Sequence, residues 1–180
     1  MGARRNTLLG LLAMAAFVFA GAAAAEDAPS APPADTSASV VDFDGFLELT
    51  TALAPIRQER LVSLSDFNRM AAEPGTVILD TRSAEAFAMG HIDGAVHLNF
   101  SDFTDDKLAR VIPSKDTRIL IYCNNNFSDN VAPVPLKRAP LALNVPTFVN
   151  LWGYGYENIY EFADLVETSD PGVNWVAATG

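Results

Sequence analysis

The chain has 180 residues, of which 49% are hydrophobic, and a formal net charge of −10 at pH 7. This length suits one domain with a sizeable core and is short for two. The excess of carboxylates argues against a nucleic-acid partner, because phosphate binding needs clustered lysine and arginine, and the sequence has no basic stripe.

Residues 1–25 have the pattern of a cleaved secretory signal peptide. Arg4 and Arg5 precede an apolar run over residues 8–20, and Ala23 and Ala25 suit a signal-peptidase site. An uncleaved membrane anchor is the alternative, but the apolar run is short for a span. The arginine pair leaves both general secretion and twin-arginine export open. Cleavage would leave an acidic chain of formal charge −12 that is periplasmic or secreted and no longer bound to the membrane.

The sequence contains one cysteine, Cys123, and two histidines, His91 and His97. A disulfide within the chain is therefore excluded, and in an oxidising compartment a lone thiol is either buried and inert or kept for chemistry. These three side chains lack the spacing of a recognisable zinc ligand set. We expect no metal and no cofactor.

The region before the domain divides into two parts. Residues 26–39 are rich in Ala, Pro, Ser and Asp, lack periodic apolar positions and predict a disordered linker. Residues 40–60 carry apolar side chains that predict an N-terminal extension packed on the domain, with helix and strand both left open. The domain itself is expected over residues 61–180.

From residue 61 the chain alternates between predicted strands and predicted helices. Short apolar runs predict strands at 61–64, 76–80, within 91–98, at 118–123 and at 157–162. Helical spacing and capping residues predict helices from a Ser65 cap to 71, at 83–89 with Gly90 closing it, at 108–112, and from an Asn144 cap to 153. This alternation predicts an α/β fold with a mainly parallel sheet.

Cys123 ends a β-branched run that predicts a strand buried on both faces of the sheet. Ligand crevices of open α/β sheets lie outside the carboxyl ends of the strands, so a nucleophile here is where chemistry is expected. The alternative is an inert thiol, because free cysteine is among the most buried residue types. The segment 124–143 that follows is long for a connection inside a domain, which is typical of functional loops.

Three motifs in order resemble the rhodanese-like family. Residues 77–82 read Val-Ile-Leu-Asp-Thr-Arg, and residues 85–95 contain Glu, an aromatic residue and Gly-His-Ile-Asp-Gly-Ala. Together they are similar to the first signature of that family. The strand that ends at Cys123 lies where the family places its nucleophile, and residues 151–161 resemble its later segment of helix, Gly, aromatic and Asn-Val-Tyr.

The resemblance covers about residues 61–175, and it implies a five-stranded, mainly parallel sheet with helices on both faces. It also implies a sulfurtransferase reaction through a persulfide on Cys123. The implied partners are a small sulfur donor, thiosulfate or a related sulfane compound, and a thiophilic acceptor such as cyanide or a thiol. A periplasmic protein is a further candidate acceptor.

This chemistry requires a reactive thiolate and convergent N–H donors around the sulfur. The loop after the cysteine departs from the family, since three asparagines stand where Gly and an anion-binding residue such as Arg are usual. Asparagine tolerates left-handed backbone, so the run is expected either to curl as an amide cradle or to form a plain turn. Cys123 is the catalytic candidate. The substrate-binding candidates are Asn124, Asn125, Asn126, Phe127, Ser128, Arg82, Lys137 and Arg138.

Two other assignments follow from this loop. Cysteine phosphatases need Cys-x5-Arg to grip phosphate, and Asp129 stands at that arginine position, which argues against phosphatase activity. Lys137 and Arg138 are either a positive element folded back to the sulfur or a solvated pair.

The alternative to an enzyme is a binding or sulfur-carrier module without turnover. The altered loop favours this module, and the retained cysteine favours the enzyme.

Overall fold

A computed structural model describes residues 40–129 and 136–177. The predicted signal peptide and linker, residues 1–39, lie outside the described residues. The elements in chain order are α1 (Phe43–Glu59), β1 (Leu61–Val62), α2 (Leu64–Ala71), β2 (Thr76–Asp80), α3 (Ala84–Met89), β3 (Gly90–Ile92), β4 (Val96–His97), α4 (Asp105–Val111), β5 (Arg118–Tyr122), α5 (Asn144–Gly153), β6 (Ile159–Phe162) and β7 (Trp175–Ala177).

The main sheet has five strands in the order β1-β6-β5-β2-β4, and each neighbouring pair is parallel. This confirms the predicted α/β fold with a five-stranded parallel sheet. The strand that leads to Cys123, β5, is the central one. Its carboxyl end therefore lies between those of β6 and β2, where the crevice of such a sheet is expected.

The sheet is covered on both faces, which explains why its central strands are continuous apolar runs. One face packs with Phe67 of α2 and carries Leu120 and Phe162. The other packs with α4 and α5 and carries Ile121, which belongs to the same core cluster as Phe148 of α5. Because side chains alternate along a strand, Cys123 continues the row of Ile121 and faces α5.

Two helix starts differ from the sequence predictions. Ser63, not Ser65, caps α2: its Oγ accepts the N–H of Asp66 at 3.2 Å, because β1 ends at Val62 and the helix follows directly. Asn144 is the first helical residue of α5 rather than its cap, and its side-chain amide is used elsewhere.

The extension that the sequence left undecided contains α1. The helix begins after Asp42, whose carboxylate accepts the N–H of Gly45 at 2.8 Å. Leu53 is buried, while Phe43 and Leu47 are exposed. Within the part of the chain that the structure describes, no helix is both long enough and apolar enough to cross a membrane.

A second, two-stranded sheet pairs β3 with β7 in antiparallel register and was not predicted. Its two strands have three residues each and are separated by more than eighty residues, so no local sequence pattern predicts their pairing. Gly90 opens β3 in extended backbone, with φ 163°, rather than in the left-handed conformation of a helix-closing glycine. A Cβ at this position would overlap the indole of Trp175.

Gly90→Ala is therefore expected to lower the free energy of unfolding by about 1–3 kcal/mol, because the methyl group would push β7 away from β3. Denaturant unfolding measures the loss. Gly153→Ala is the matched control: its Cβ would meet Leu49 Cδ2 at an ordinary 3.5 Å, and its stability should stay within about 1 kcal/mol of wild type. Equal losses in both variants would show that the Trp175 contact is not the cause.

Candidate active site

Cys123 lies directly beyond the central strand and is 1% exposed. Its backbone is extended, and its N–H donates to Oδ1 of Asn126 at 2.9 Å. The residue lines a pocket of about 250 Å³ at the carboxyl edge of the sheet. The other walls come from residues 81–83 after β2, residues 99–101 after β4, residues 124–125, and from Lys137 and Leu143.

The surroundings of the Cys123 sulfur act on its pKa in opposite directions. Burial raises the pKa of the thiol and is the largest influence. Main-chain N–H groups of Asn144, Asn125 and Leu143 donate toward the sulfur and lower it, while the negative charge of Glu161 raises it. The net result is a pKa above the ordinary cysteine value, so at neutral pH the unliganded site holds mainly the thiol.

The donors at the sulfur differ from the predicted set, which was the amide run of residues 124–128. Residues 124–126 form a single 3₁₀ turn, and its geometry directs several amides to carbonyl oxygens. Asn126 N–H donates to Cys123 O (3.0 Å), and Phe127 N–H donates to Asn124 O (3.1 Å). Of the five, Asn125 donates toward the sulfur, and the first turn of α5 supplies the other donors.

Asn126 does not line the pocket; its side chain instead forms hydrogen bonds that connect the segments around Cys123. Its Nδ2 donates to the carbonyl oxygen of Phe162 at 2.8 Å and to that of Asp164 at 3.2 Å. Its Oδ1 accepts from the backbone of Cys123 and, at 3.1 Å, from Nδ2 of Asn144. This side chain therefore joins the ends of β5 and β6 to the start of α5 and fixes the position of the sulfur.

Three other candidate binding residues lie away from the pocket. Phe127 is buried and packs edge-on against Trp175, with ring centroids 4.9 Å apart. Ser128 bonds through its N–H to Val166 O at 2.8 Å. Arg138 is exposed and precedes the 3₁₀ turn Ala139–Leu141. None of the three lines the pocket around Cys123.

Lys137 is brought to the pocket by Asn125. The Asn125 side chain donates to Lys137 O at 2.7 Å and accepts the Lys137 N–H at 3.2 Å. The returning segment of the long loop is thereby fixed to the turn after the cysteine. Of the sequence candidates, four line the pocket beside Cys123: Asn124, Asn125, Arg82 and Lys137.

Arg82 is 4% exposed, and its charge is balanced inside the fold. It forms a two-point ion pair with Asp80, in which Nη2 lies 2.6 Å from Oδ2. Its guanidinium also lies 5.4 Å from the ring centre of Tyr122 and 5.3 Å from that of Trp175. A bond from Nη1 to Asn124 Oδ1 at 3.1 Å connects this buried group to the pocket.

Two further side chains, those of Asp129 and His91, form hydrogen bonds with residues that do not line the pocket. Asp129, which would disfavour an anionic donor if it faced the thiol, accepts hydrogen bonds from Thr168 instead. His91 Nδ1 pairs with Phe87 O at 2.9 Å and its ring stacks on Phe87. Asp129 is thus engaged away from the sulfur, and the contacts of His91 suit a structural role.

Sequence reasoning missed Thr81 and Ser83, which flank the predicted Arg82, and the wall made by residues 99–101. The signal was present in part, because both segments follow strands that were predicted to lie in the same sheet, so they belong to the same carboxyl edge. Thr81 and Ser83 flank the arginine of the Asp-x-Arg motif. Asn99 caps the 3₁₀ turn Phe100–Asp102 by accepting the N–H of Ser101 at 3.1 Å.

The raised pKa of Cys123 has a measurable consequence. Alkylation of the folded protein by iodoacetamide is expected to be slower at pH 7 than alkylation of the same protein in denaturant. It should accelerate as pH rises through and beyond the ordinary thiol range, because only the thiolate reacts. Thiolate ultraviolet absorbance, with Cys123→Ser as the blank, should titrate at the same high pH. A thiolate already formed at neutral pH would contradict this.

This molecule is a parallel α/β domain in which a cysteine directly follows the central strand and lines a pocket at the carboxyl edge of the sheet. A family model described as Rhodanese-like domain matches residues 63–163, and the chain belongs to this family. The family resemblance drawn from the motifs is thus confirmed.

Two curated relatives are both named tRNA uridine(34) hydroxylase. The one from Bradyrhizobium diazoefficiens is 38% identical over 80 residues, 42% of this chain and 31% of its own length. The one from Nitrobacter hamburgensis is 35% identical over 69 residues, 37% of this chain and 27% of its own length. The chain therefore spans about a third or less of the curated relatives it matches.

Solved structures of similar fold include the human single-domain sulfurtransferase TSTD1. That alignment has 16% identity and a TM-score of 0.40, and covers 58% of this chain and 88% of the human one. The rhodanese-like domain of the Anabaena protein Alr3790 aligns at 19% identity with a TM-score of 0.42, covering 57% and 67%.

Proposed function

We propose that this protein is a sulfurtransferase that moves a sulfane sulfur from thiosulfate or a related donor to a thiophilic acceptor through a persulfide on Cys123. The observation that carries the proposal is the setting of that sulfur. Three main-chain N–H groups converge on it, and a pocket of about 250 Å³ adjoins it. Such donors stabilise a thiolate and the negative charge that develops on the reacting sulfurs.

The two steps balance without an external oxidant or reductant. The Cys123 thiolate attacks the outer sulfur of thiosulfate, the bond between the Cys123 sulfur and that atom forms, and sulfite leaves with the electron pair of the broken sulfur–sulfur bond. The acceptor, cyanide or a thiolate, then attacks the outer sulfur of the persulfide. The Cys123 thiolate is the leaving group and is regenerated.

The proposal is tested by thiocyanate formation from thiosulfate and cyanide. Turnover that saturates with thiosulfate is the expected result. Absence of thiocyanate, together with failure of thiosulfate, polysulfide and glutathione persulfide to add sulfur to a thiol that iodoacetamide still modifies, would reject it.

Lys137 is expected to attract the anionic donor, because it lines the pocket and Asn125 holds its backbone there. Lys137→Ala should raise the KM for thiosulfate by about threefold to tenfold and leave kcat nearly unchanged, as loss of an exposed charge predicts. Arg138→Ala is the matched control: it removes the neighbouring charge from a residue outside the pocket, and its KM should stay close to wild type. Equal increases in KM for the two variants would indicate that Lys137 acts through the general electrostatic field of the protein rather than through a contact with thiosulfate.

A carrier or binding module without turnover is the second candidate, and the burial of Cys123 favours it. A cysteine residue that is 1% exposed is poorly placed to meet two partners in turn. The two functions separate on one result: a carrier takes up sulfur and releases it to a specific protein, while cyanide and small thiols leave the persulfide intact.

We do not extend tRNA hydroxylation to this chain. That name belongs to relatives of which this chain spans about a third or less, and a formal charge of −10 opposes binding of a polyanion. We propose instead a periplasmic or secreted location with small-molecule or periplasmic protein partners. A protein from periplasmic extract whose N-terminus is Glu26 would support export.

A further inference from the structure

A buried acid lies on the same face of the sheet as the reactive sulfur. Glu161 of β6 is 5% exposed and is the register partner of Ile121 in β5. Partners in a parallel ladder point to the same face, and Cys123 continues the row of Ile121. The charge of Glu161 accordingly acts on the sulfur and opposes formation of a thiolate.

An arginine from the N-terminal extension neutralises this acid. Arg57 Nε lies 2.6 Å from Glu161 Oε2, and Arg57 Nη2 lies 2.5 Å from Oε1, which is the two-point geometry of a strong charge-assisted pair. The backbone N–H of Glu161 donates separately to Arg60 O at 2.9 Å. The end of α1 is therefore anchored at this strand by the main chain, and the ion pair is an additional feature.

Charged groups lie around the Cys123 site on several elements. Glu161 faces it from β6. Arg82 lies beyond β2 with its charge balanced by Asp80, and Lys137 lies across the pocket. The first turn of α5 contributes N–H groups and has no acidic side chain. Arg57 is the group from α1, and its partner Glu161 is the acid whose charge opposes the thiolate.

We propose that Arg57 is a positioning residue of the Cys123 site: by holding the Glu161 carboxylate in a two-point ion pair, it offsets part of the negative charge beside the sulfur and makes the thiolate easier to form. The family match begins at residue 63, so this function comes from a helix outside the matched span. The inference deepens the proposed function, since it concerns the reactive form of the same cysteine.

The test is the pH profile of Cys123 alkylation by iodoacetamide, followed in parallel by thiolate absorbance. Arg57→Met should lower the alkylation rate near pH 8 by about threefold to tenfold, because an uncompensated carboxylate disfavours the thiolate. Glu161→Gln should raise the rate, since it leaves Arg57 as an unpaired cation. The double variant should return close to wild type. Arg57→Lys, which keeps the charge, should retain most of the wild-type rate.

Leu53→Ala controls for a loosened helix, because it removes a buried side chain of α1 and leaves the ion pair intact. Its pH profile should match wild type. The proposal is overturned if Arg57→Met leaves the profile unchanged, if Leu53→Ala shifts it equally, or if the double variant is as slow as Arg57→Met. These measurements use no sulfur donor, so failure of sulfur transfer itself would be seen separately in the thiocyanate assay.

Discussion

Arg82→Met is expected to lower the free energy of unfolding by about 3–5 kcal/mol, because it leaves the buried carboxylate of Asp80 without its counter-charge. Asp80 is fully buried and Arg82 is 4% exposed. The Tyr122 hydroxyl, at 2.6 Å from Asp80 Oδ2, would remain as a neutral donor and replace only part of the lost interaction. Denaturant unfolding measures the change.

Two companion variants identify the cause of that loss. Asp80→Asn combined with Arg82→Met removes both charges and should be more stable than Arg82→Met alone. Tyr122→Phe deletes one hydroxyl and should lower stability by about 1–3 kcal/mol. A double variant no better than the single one would show that packing of the guanidinium between Tyr122 and Trp175, rather than charge balance, stabilises this region.

Cys123→Ser is expected to reduce thiocyanate formation by at least about 100-fold, because a hydroxyl cannot accept and return a sulfane sulfur. The substitution replaces a buried sulfur with a slightly smaller polar atom that faces three N–H donors, so the fold should be retained. Ser128→Ala is the control for the same loop, since Ser128 lies outside the pocket. Substantial residual turnover in Cys123→Ser would place the chemistry elsewhere.

The central strands were predictable because a strand that is buried on both faces has a continuous run of apolar residues in the sequence. The run from Thr76 to Asp80 matches β2 at both ends, and the run that ends at Cys123 matches β5 up to the cysteine. In both cases a polar or reactive residue stops an apolar, β-branched segment. The parallel arrangement of these strands then followed from the helices between them.

The β3–β7 pairing and the donor set at the sulfur were not predictable in the same way. Both depend on residues far apart in sequence: Gly90 against Trp175, and Cys123 against Asn144. Local patterns carry no information about which distant backbone will meet a given side chain. The role expected for the asparagine run also changed, because Asn126 is used as a brace between strands and Asn125 as the anchor of Lys137.

The ion pair between Arg57 and Glu161 was also not predictable from the sequence, because the two residues lie far apart in the chain. A glutamate inside an apolar strand signals a buried partner, since buried charges are normally paired. Its partner, however, is supplied by a helix whose helical state the sequence did not decide. The position of α1 is fixed by its packing against α5 and by its contacts with β6.

The central claim is that Cys123 accepts a sulfane sulfur, and intact mass measurement after incubation with thiosulfate tests it most directly. The account predicts a gain of one sulfur atom in the wild-type chain, its loss on addition of cyanide, and no gain in Cys123→Ser. A wild-type mass unchanged by thiosulfate, polysulfide and glutathione persulfide, while iodoacetamide still modifies Cys123, would contradict it.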